Sequence, residues 1–207
     1  MEKAMINAGD SGASYTIRDG LRTEHRAIAA AGYWEAFSRK LRYPLGPENK
    51  ALVFLERVFD ADHAISAVSR DGAFLGVAGF KTPAGAFVGG GLEEMAKVYG
   101  WLGSVARGWL IGILERKCEP GTLLMDGIFV RPEARSLGVG SALLEAIERR
   151  AVANGLKQVR LDVIDENPRA RVLYQSRGFE ARSHVSMSAL KPVFGFRSTT
   201  TMIKTVG

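Results

Sequence analysis

Arg135, Gly138 and Gly140 lie in "RSLGVGSALLEAI", where a glycine-rich turn runs straight into an apolar, helix-like segment. Glycine inside a helix costs about 1 kcal/mol relative to alanine, so two of them here mark a turn that must stay bare. The first turn of a helix leaves its amide donors unpaired, and the helix dipole adds roughly half a positive charge. An anion can reach those amides where side chains are missing, and Arg135 adds a fork of charged donors. The spacing therefore predicts a site for a phosphorylated ligand. Ser136, Leu137, Gly138, Val139, Gly140 and Ser141 are its expected main-chain surface.

Other phosphate-binding patterns fit this turn less well. A nucleotide-triphosphate loop needs Gly-Lys-Ser/Thr, and the lysine is missing. A dinucleotide fingerprint wants a third glycine where Leu143 stands and a strand directly before the turn, where a Pro-containing stretch intervenes. Asp162 suits the ribose ligand of that fingerprint, so the match is partial.

The turn needs elements to hold it. "TLLMDGIFV" reads as a strand ended by Arg131 and Pro132, and residues 141–154 as a helix with Leu143, Leu144, Ile147 and Ala151 facing inward. Glu145 and Arg149 are spaced for an ion pair on its outer side. "QVRLDVI" is the next strand. In "ENPRARVLYQSRGF", Asn167 is placed as an N-cap, Pro168 at the first helical position and Gly178 as the stop.

Upstream, residues 14–20 alternate like a strand. Residues 24–42 read as a helix with Ile28, Ala31 and Trp34 near one face, stopped by "YPLGP", and residues 48–59 as a second with Leu52, Leu55, Val58 and Phe59 on one side. "HAISAVSR" and "AFLGVAGFK", separated by Asp71 and Gly72, form a hairpin signal. After three glycines at 89–91, residues 92–117 read as one long or two short helices with an unusually apolar inner part. Arg107 and four glycines interrupt that part, which falls short of the ~20 apolar residues of a membrane span. The expected role is a buried or dimer-forming helix, with membrane-surface contact as the alternative. Two more strands are expected around "SHVSMSA" and "STTTMIKTV", joined by "LKPVFGF".

"VRPEARSLGVGSALLEAI" resembles the acetyl-coenzyme A signature of the GNAT N-acetyltransferase superfamily, Arg/Gln-x-x-Gly-x-Gly/Ala opening a helix after a Val-x-Pro strand end. Arg135, Gly138 and Gly140 fill those places. Downstream, Asn167, Ala170, Tyr174, Gly178 and Phe179 are similar to the superfamily's second pattern. The resemblance is close over residues 122–181 and loose before them. Leu137 departs from it, standing where members often carry another cation. Residues 92–117 also depart, as a helical insertion where many members have a tight connection between strands.

The resemblance implies one domain over residues 1–207 with an α/β fold: a mixed, mostly antiparallel sheet, splayed at the coenzyme, with helices on both faces. It implies an acetyl-CoA-dependent N-acetyltransferase in which a primary amine of a small molecule or protein attacks the thioester directly. Phe129 and Val130 would offer main-chain contacts to the pantetheine and the thioester carbonyl, with Asn167 and Ala170 beside the coenzyme. Tyr174 is placed to assist the departing sulfur. A phenol of pKa ~10 is a weaker acid than a thiol of ~8.5, so a hydrogen bond to the sulfur is its minimal role.

An alkylamine of pKa ~10.4 is only about one part in two thousand neutral at pH 7, so a base is needed. Asp126 is the best-placed carboxylate, with Asp162 second. Trp34, Tyr43 and His184 are nominated for the acceptor pocket on the family's usual layout. A non-catalytic acetyl-CoA sensor using residues 92–117 as an interaction surface is the alternative function.

The chain's 207 residues, 46% hydrophobic and 24% charged, are those of a globular domain with a full core. A net charge of +6 invites nucleic acid, but the basic residues are spread out and no recognition motif occurs, so none is expected as a partner. The basic surface equally suits an anionic small molecule. Cys118 has no disulfide partner and no histidine or cysteine at ligand spacing, so it is read as inert and no metal is expected. "MEKAMINAGDSG" has no apolar run, which leads to the expectation of a cytoplasmic chain without signal or anchor.

Overall fold

The structure is a computed structural model and describes residues 14–207; the opening stretch read for a leader lies outside them. Eight strands form one sheet: β1 (Tyr15–Asp19), β2 (Ala64–Ser69), β3 (Phe74–Thr82), β4 (Gly85–Ala86), β5 (Thr122–Val130), β6 (Gln158–Ile164), β7 (Glu180–Ser186) and β8 (Ser198–Thr205). Their order is β1-β2-β3-β5-β6-β8-β7, with β4 on β3. Every neighbouring pair is antiparallel except β5 and β6.

Helices α1 (Arg26–Leu45), α2 (Glu48–Val58), α3 (Leu92–Tyr99) and α4 (Trp101–Leu114) precede β5, whereas α5 (Val139–Ala153), α6 (Pro168–Ser176) and α7 (Lys191–Phe194) follow it. One face of the sheet is covered by α5 and α6, where Leu143, Leu144, Ile147 and Tyr174 join Leu123, Val159 and Leu161 in a core. The other carries α1 and α2, where Tyr33, Trp34, Phe54 and Leu55 meet Val77 and Phe129. Each buried Leu or Ile of α5 contributes about 1.5–3 kcal/mol, which fixes this helix against the strands on either side of its turn. In β6 the alternation is strict: Val159, Leu161 and Val163 are buried on the α5 side, which sends Arg160 and Asp162 to the opposite face.

Several local expectations shift. Helix α1 runs through Pro44 to Leu45, whose burial at 1% exposure holds that last turn against the core. Ala31 is exposed and the buried stripe is instead Ala29, Ala30, Tyr33 and Trp34. Glu145 pairs at 2.6 Å with Arg177, the residue that follows α6, rather than with Arg149. The Asp71-Gly72 hairpin forms, with Gly72 at φ 90 and the Ser69 amide donating to the Ala73 carbonyl.

Residues 92–117 give two helices broken at Gly100, which takes φ 72. They are not buried as a unit, since Trp101, Leu102, Val105 and Trp109 are exposed. Arg107 explains why an apolar helix carries a charge. Its guanidinium donates to the Tyr43 carbonyl at 3.2 Å and the Gly46 carbonyl at 3.0 Å, and lies over the Tyr99 ring, tying α4 to the end of α1. No helix among the described residues is long and apolar enough to cross a membrane.

Candidate functional site

The glycine turn has the geometry its composition demands. Gly138 is the residue before α5 and takes φ 79, and Ser136 also has a positive φ of 67. The Ala142 amide is the first to close back, onto the Gly138 carbonyl at 3.0 Å, so the Val139, Gly140 and Ser141 amides have no partner within the helix. Val139 buries its side chain in the core, anchoring the turn, while Arg135, Ser136, Leu137 and Gly138 are exposed. Arg135 is steadied beside the turn by donating from Nε to the Val130 carbonyl at 3.2 Å. Its other edge lies 3.7 Å from Glu35, an exposed contact of little energetic weight. A Cβ added at Gly140 would lie 3.7 Å from both Leu173 of α6 and Val130 of β5. Free amides, a guanidinium and bare glycines fit a diphosphate, the group that acetyl-CoA would place here.

Next to this turn the sheet opens. β5 and β6 pair only through Thr122–Gln158, Leu123–Val159 and Leu124–Arg160. Beyond that point β5 stays with β3 as far as Val130 opposite Gly76, whereas β6 stays with β8 as far as Ile164 opposite Thr199. The two strands part into a cleft whose facing backbone groups lack strand partners.

A bulge sits at its apex. Gly79 faces Gly127 and Phe80 faces Met125, so Asp126 is one residue too many. The extra residue inverts the alternation: Met125 and Ile128 pack on the α5 side, while Gly127 meets Phe37 and Phe129 meets Gly32, both on α1.

This register decides which backbone groups of β5 face the cleft. The Arg131 amide donates to the Leu75 carbonyl, so the alternate residue Phe129 also directs its backbone at β3. Val130 and Ile128 present theirs to the cleft instead, and Phe129 contributes its ring to the core beneath it. The expected main-chain contacts, Phe129 and Val130, did not include Ile128.

On the α1 side of the apex lies a cavity of about 580 Å³, roofed by α4 and the glycines at 89–91 and floored by Leu124, Met125, Asp126 and Asp162. Its walls are largely apolar, including Tyr33, Leu45, Phe54, Met95 and Trp109. Asp126 accepts a hydrogen bond from the Val88 amide, and burial pushes its carboxyl above the usual range against the opposing pull of Lys81 and Lys40. Burial likewise lowers the Lys40 ammonium, although Asp126 counteracts it. Asp162 also lines the cavity but is fully engaged: Arg116 is 3.3 Å away, Arg160 3.6 Å, and the Thr201 hydroxyl donates to it at 2.5 Å. Three partners on one carboxylate hold Asp162 as an anchor.

The remaining expected residues are spread around this arrangement. Tyr174 is buried in α6 against Phe179, and burial pushes its phenol well above the ordinary value. Asn167 caps its own helix by accepting from the Ala170 amide at 3.1 Å, and Ala170 packs on the core. Trp34 is a core residue, Tyr43 is exposed, and His184 lies on β7 beside Asp165; none of the three lines the cavity. Lys40 and Arg116 do line it and were missed, because each lies in a run of other cations and only packing selects it.

Comparison with known proteins agrees with this geometry. The acetyltransferase (GNAT) family model matches residues 30–179. The chain is 24% identical over 155 residues to aminoglycoside N(6')-acetyltransferase type 1 of Salmonella typhimurium, covering 74% of this chain and 87% of that protein. It is 38% identical over 56 residues to thialysine N-epsilon-acetyltransferase of Bos taurus, a match that spans only 33% of that protein and 27% of this chain. A GCN5-related N-acetyltransferase from Kribbella flavida shares the fold with a TM-score of 0.64 and 17% identity, over 95% of this chain and 100% of that one. The matched span runs from the helix walling the cavity to the Gly-Phe pair that closes the second motif, and the chain belongs to the acetyltransferase (GNAT) family.

Proposed function

We propose that this protein transfers an acetyl group from acetyl-CoA to a primary amine by direct attack, with the diphosphate at the Gly138 turn and the amine entering from the α4-roofed cavity. The observation that carries the reading is a coincidence of three features: the unpaired amides at the start of α5, the parting of β5 from β6 after Leu124, and the bulged Asp126 where cleft and cavity meet.

Bound acetyl-CoA supplies an activated acetyl group; transfer forms one C–N bond and breaks one C–S bond, and the second proton that the attacking nitrogen sheds ends on the departing sulfur. The residues prepare both partners. Arg135 and the Val139, Gly140 and Ser141 amides neutralise the diphosphate. The Ile128 and Val130 backbone groups orient the arm along the open edge of β5. Asp126, made more basic by burial, takes the proton that an ammonium must lose before its nitrogen can attack. Tyr174, kept neutral by burial, donates a hydrogen bond to the sulfur rather than handing over its proton. Ser136, Leu137, Asn167 and Ala170 complete the proposed lining of the coenzyme site, and the proposal carries a cytoplasmic location with it. The relatives' names suggest aminoglycosides and lysine analogues as first acceptors to try.

Isothermal titration with acetyl-CoA, repeated on Arg135→Glu, tests the site. A loss of affinity of about tenfold or more is expected from reversing one charged contact. Undiminished binding would remove the site from this turn.

The exposed apolar face of α4 favours a second reading, in which the protein binds acetyl-CoA and signals to a partner through that helix. Thiol release with a panel of amines separates the two, since a sensor releases none.

A further inference from the structure

The cavity beside Asp126 holds three cations and three acids: Lys40, Lys81 and Arg116 against Glu115, Asp126 and Asp162. Two pairs cancel internally. Lys81 is 2.8 Å from Glu115, and Arg116 is 3.3 Å from Asp162. Lys40 and Asp126 are left over, opposite charges facing one space. Among the described residues neither has an ion-pair partner within 4 Å, and Lys40 makes no hydrogen bond. Lys40 is half-buried, and Asp126 across the same space offsets only part of the cost of taking its ammonium out of water.

We infer that the acceptor is an amine that also carries a carboxylate, an amino acid with a bulky apolar side chain, whose carboxylate pairs with Lys40 while its amine faces Asp126. The inference rests on the transferase reading and names the substrate class of that site.

Charge and shape both select this class. A polycation would bring several charges into a space whose acids exceed its cations by none, and it would meet the Lys40 ammonium directly. An amine without an acid leaves Lys40 uncompensated. A zwitterion supplies one charge to each unpaired group and adds no net charge. Its apolar body then covers Met95, Val105 and Trp109, which line the cavity on the α3–α4 side. A volume of about 580 Å³ lies within the usual span of small-ligand pockets and accommodates an aromatic amino acid.

The test is thiol release from acetyl-CoA with L-phenylalanine, phenethylamine and spermidine, on the wild-type protein and on Lys40→Met. Wild type should favour phenylalanine over phenethylamine by about tenfold or more in kcat/KM, the scale of one charge-assisted contact, and turn over spermidine least. Lys40→Met should raise KM for phenylalanine about tenfold more than KM for phenethylamine, while any change in kcat, which follows from losing the pull of Lys40 on the Asp126 carboxyl, should be the same for both amines. Lys40→Arg should restore most of the difference. Titration with acetyl-CoA on each variant shows that the fold and coenzyme site persist; if Lys40→Met fails that check, Lys40→Gln takes its place in the same comparison. Equal losses for both amines, or a preference for phenethylamine or spermidine, overturn the inference while leaving the transferase reading intact. No thiol release from these three amines overturns the inference, and none from an aminoglycoside or a lysine analogue either, with acetyl-CoA still bound, overturns the transferase reading as well.

Discussion

Leu124 of β5 and Arg160 of β6 are the last opposed residues of a parallel pair in an otherwise antiparallel run of described strands, and Asp126 bulges out two positions further along. One irregularity therefore performs two tasks: it aims a carboxylate into the cavity and resets which backbone groups face the cleft. Asp126→Asn keeps the shape and removes the base. We expect kcat/KM to fall by about 10²-fold or more. Because the active form is the carboxylate and burial raises its pKa, the wild-type rate should fall with acid well above the ordinary carboxylate range, and the variant should lack that limb. A pH–rate profile of both proteins checks this.

The same shift has a consequence for stability with a definite sign. A carboxyl whose folded pKa is raised contributes stability that is full below its unfolded value near 3.8 and lost as pH climbs through the folded value. At neutral pH the raised Asp126 carboxyl is thus a net cost to stability. Asp126→Asn should raise the melting temperature at pH 7 and lose that advantage as pH drops towards 3.8. Thermal unfolding at both pH values measures it.

Gly138 and Gly140 should separate fold from binding. Gly138 is held at φ 79, so Gly138→Ala is expected to destabilise the protein by about 1–2 kcal/mol. A Cβ at Gly140 meets nothing closer than 3.7 Å, and alanine is the better helix former by up to about 1 kcal/mol. Gly140→Ala should therefore leave stability equal or higher while weakening acetyl-CoA, because the new methyl stands where the ligand must approach. Denaturant unfolding and titration of both variants give opposite orders.

Tyr174→Phe removes only a hydroxyl from a packed ring. Acetyl-CoA affinity should change less than about threefold and kcat should drop by about tenfold or more, as for a lost hydrogen bond to a developing charge. Equal kcat in the two proteins would make Tyr174 a core residue alone.

Gly32 leaves room for the Phe129 ring, since a Cβ there would come within 2.0 Å of it. Gly32→Ala should cost about 1–3 kcal/mol by overpacking. Adding Phe129→Leu should recover part of that loss, a non-additivity expected only for residues in contact. Unfolding free energies of the two single variants and the double variant provide the cycle.

The phosphate turn was legible in the sequence because its determinants are local. Glycines at set spacing, a preceding arginine and an apolar helical stripe dictate backbone conformation and free amides whatever surrounds them. The strands around it, the cap at Asn167 and the Asp71-Gly72 hairpin are local in the same sense. Which groups share the acceptor cavity was decided only by tertiary structure. Lys40 and Arg116 are far apart in the chain and surrounded by similar cations, and nothing near Lys40 marks it as an ammonium that faces the cavity without an ion-pair partner among the described residues. The bulge at Asp126 is equally non-local: it exists because β5 carries one residue more than β3 can pair, and that excess shifts the cleft-facing backbone from Phe129 to Ile128 and Val130. Local spacing specifies torsion angles; long-range packing decides which side chains meet.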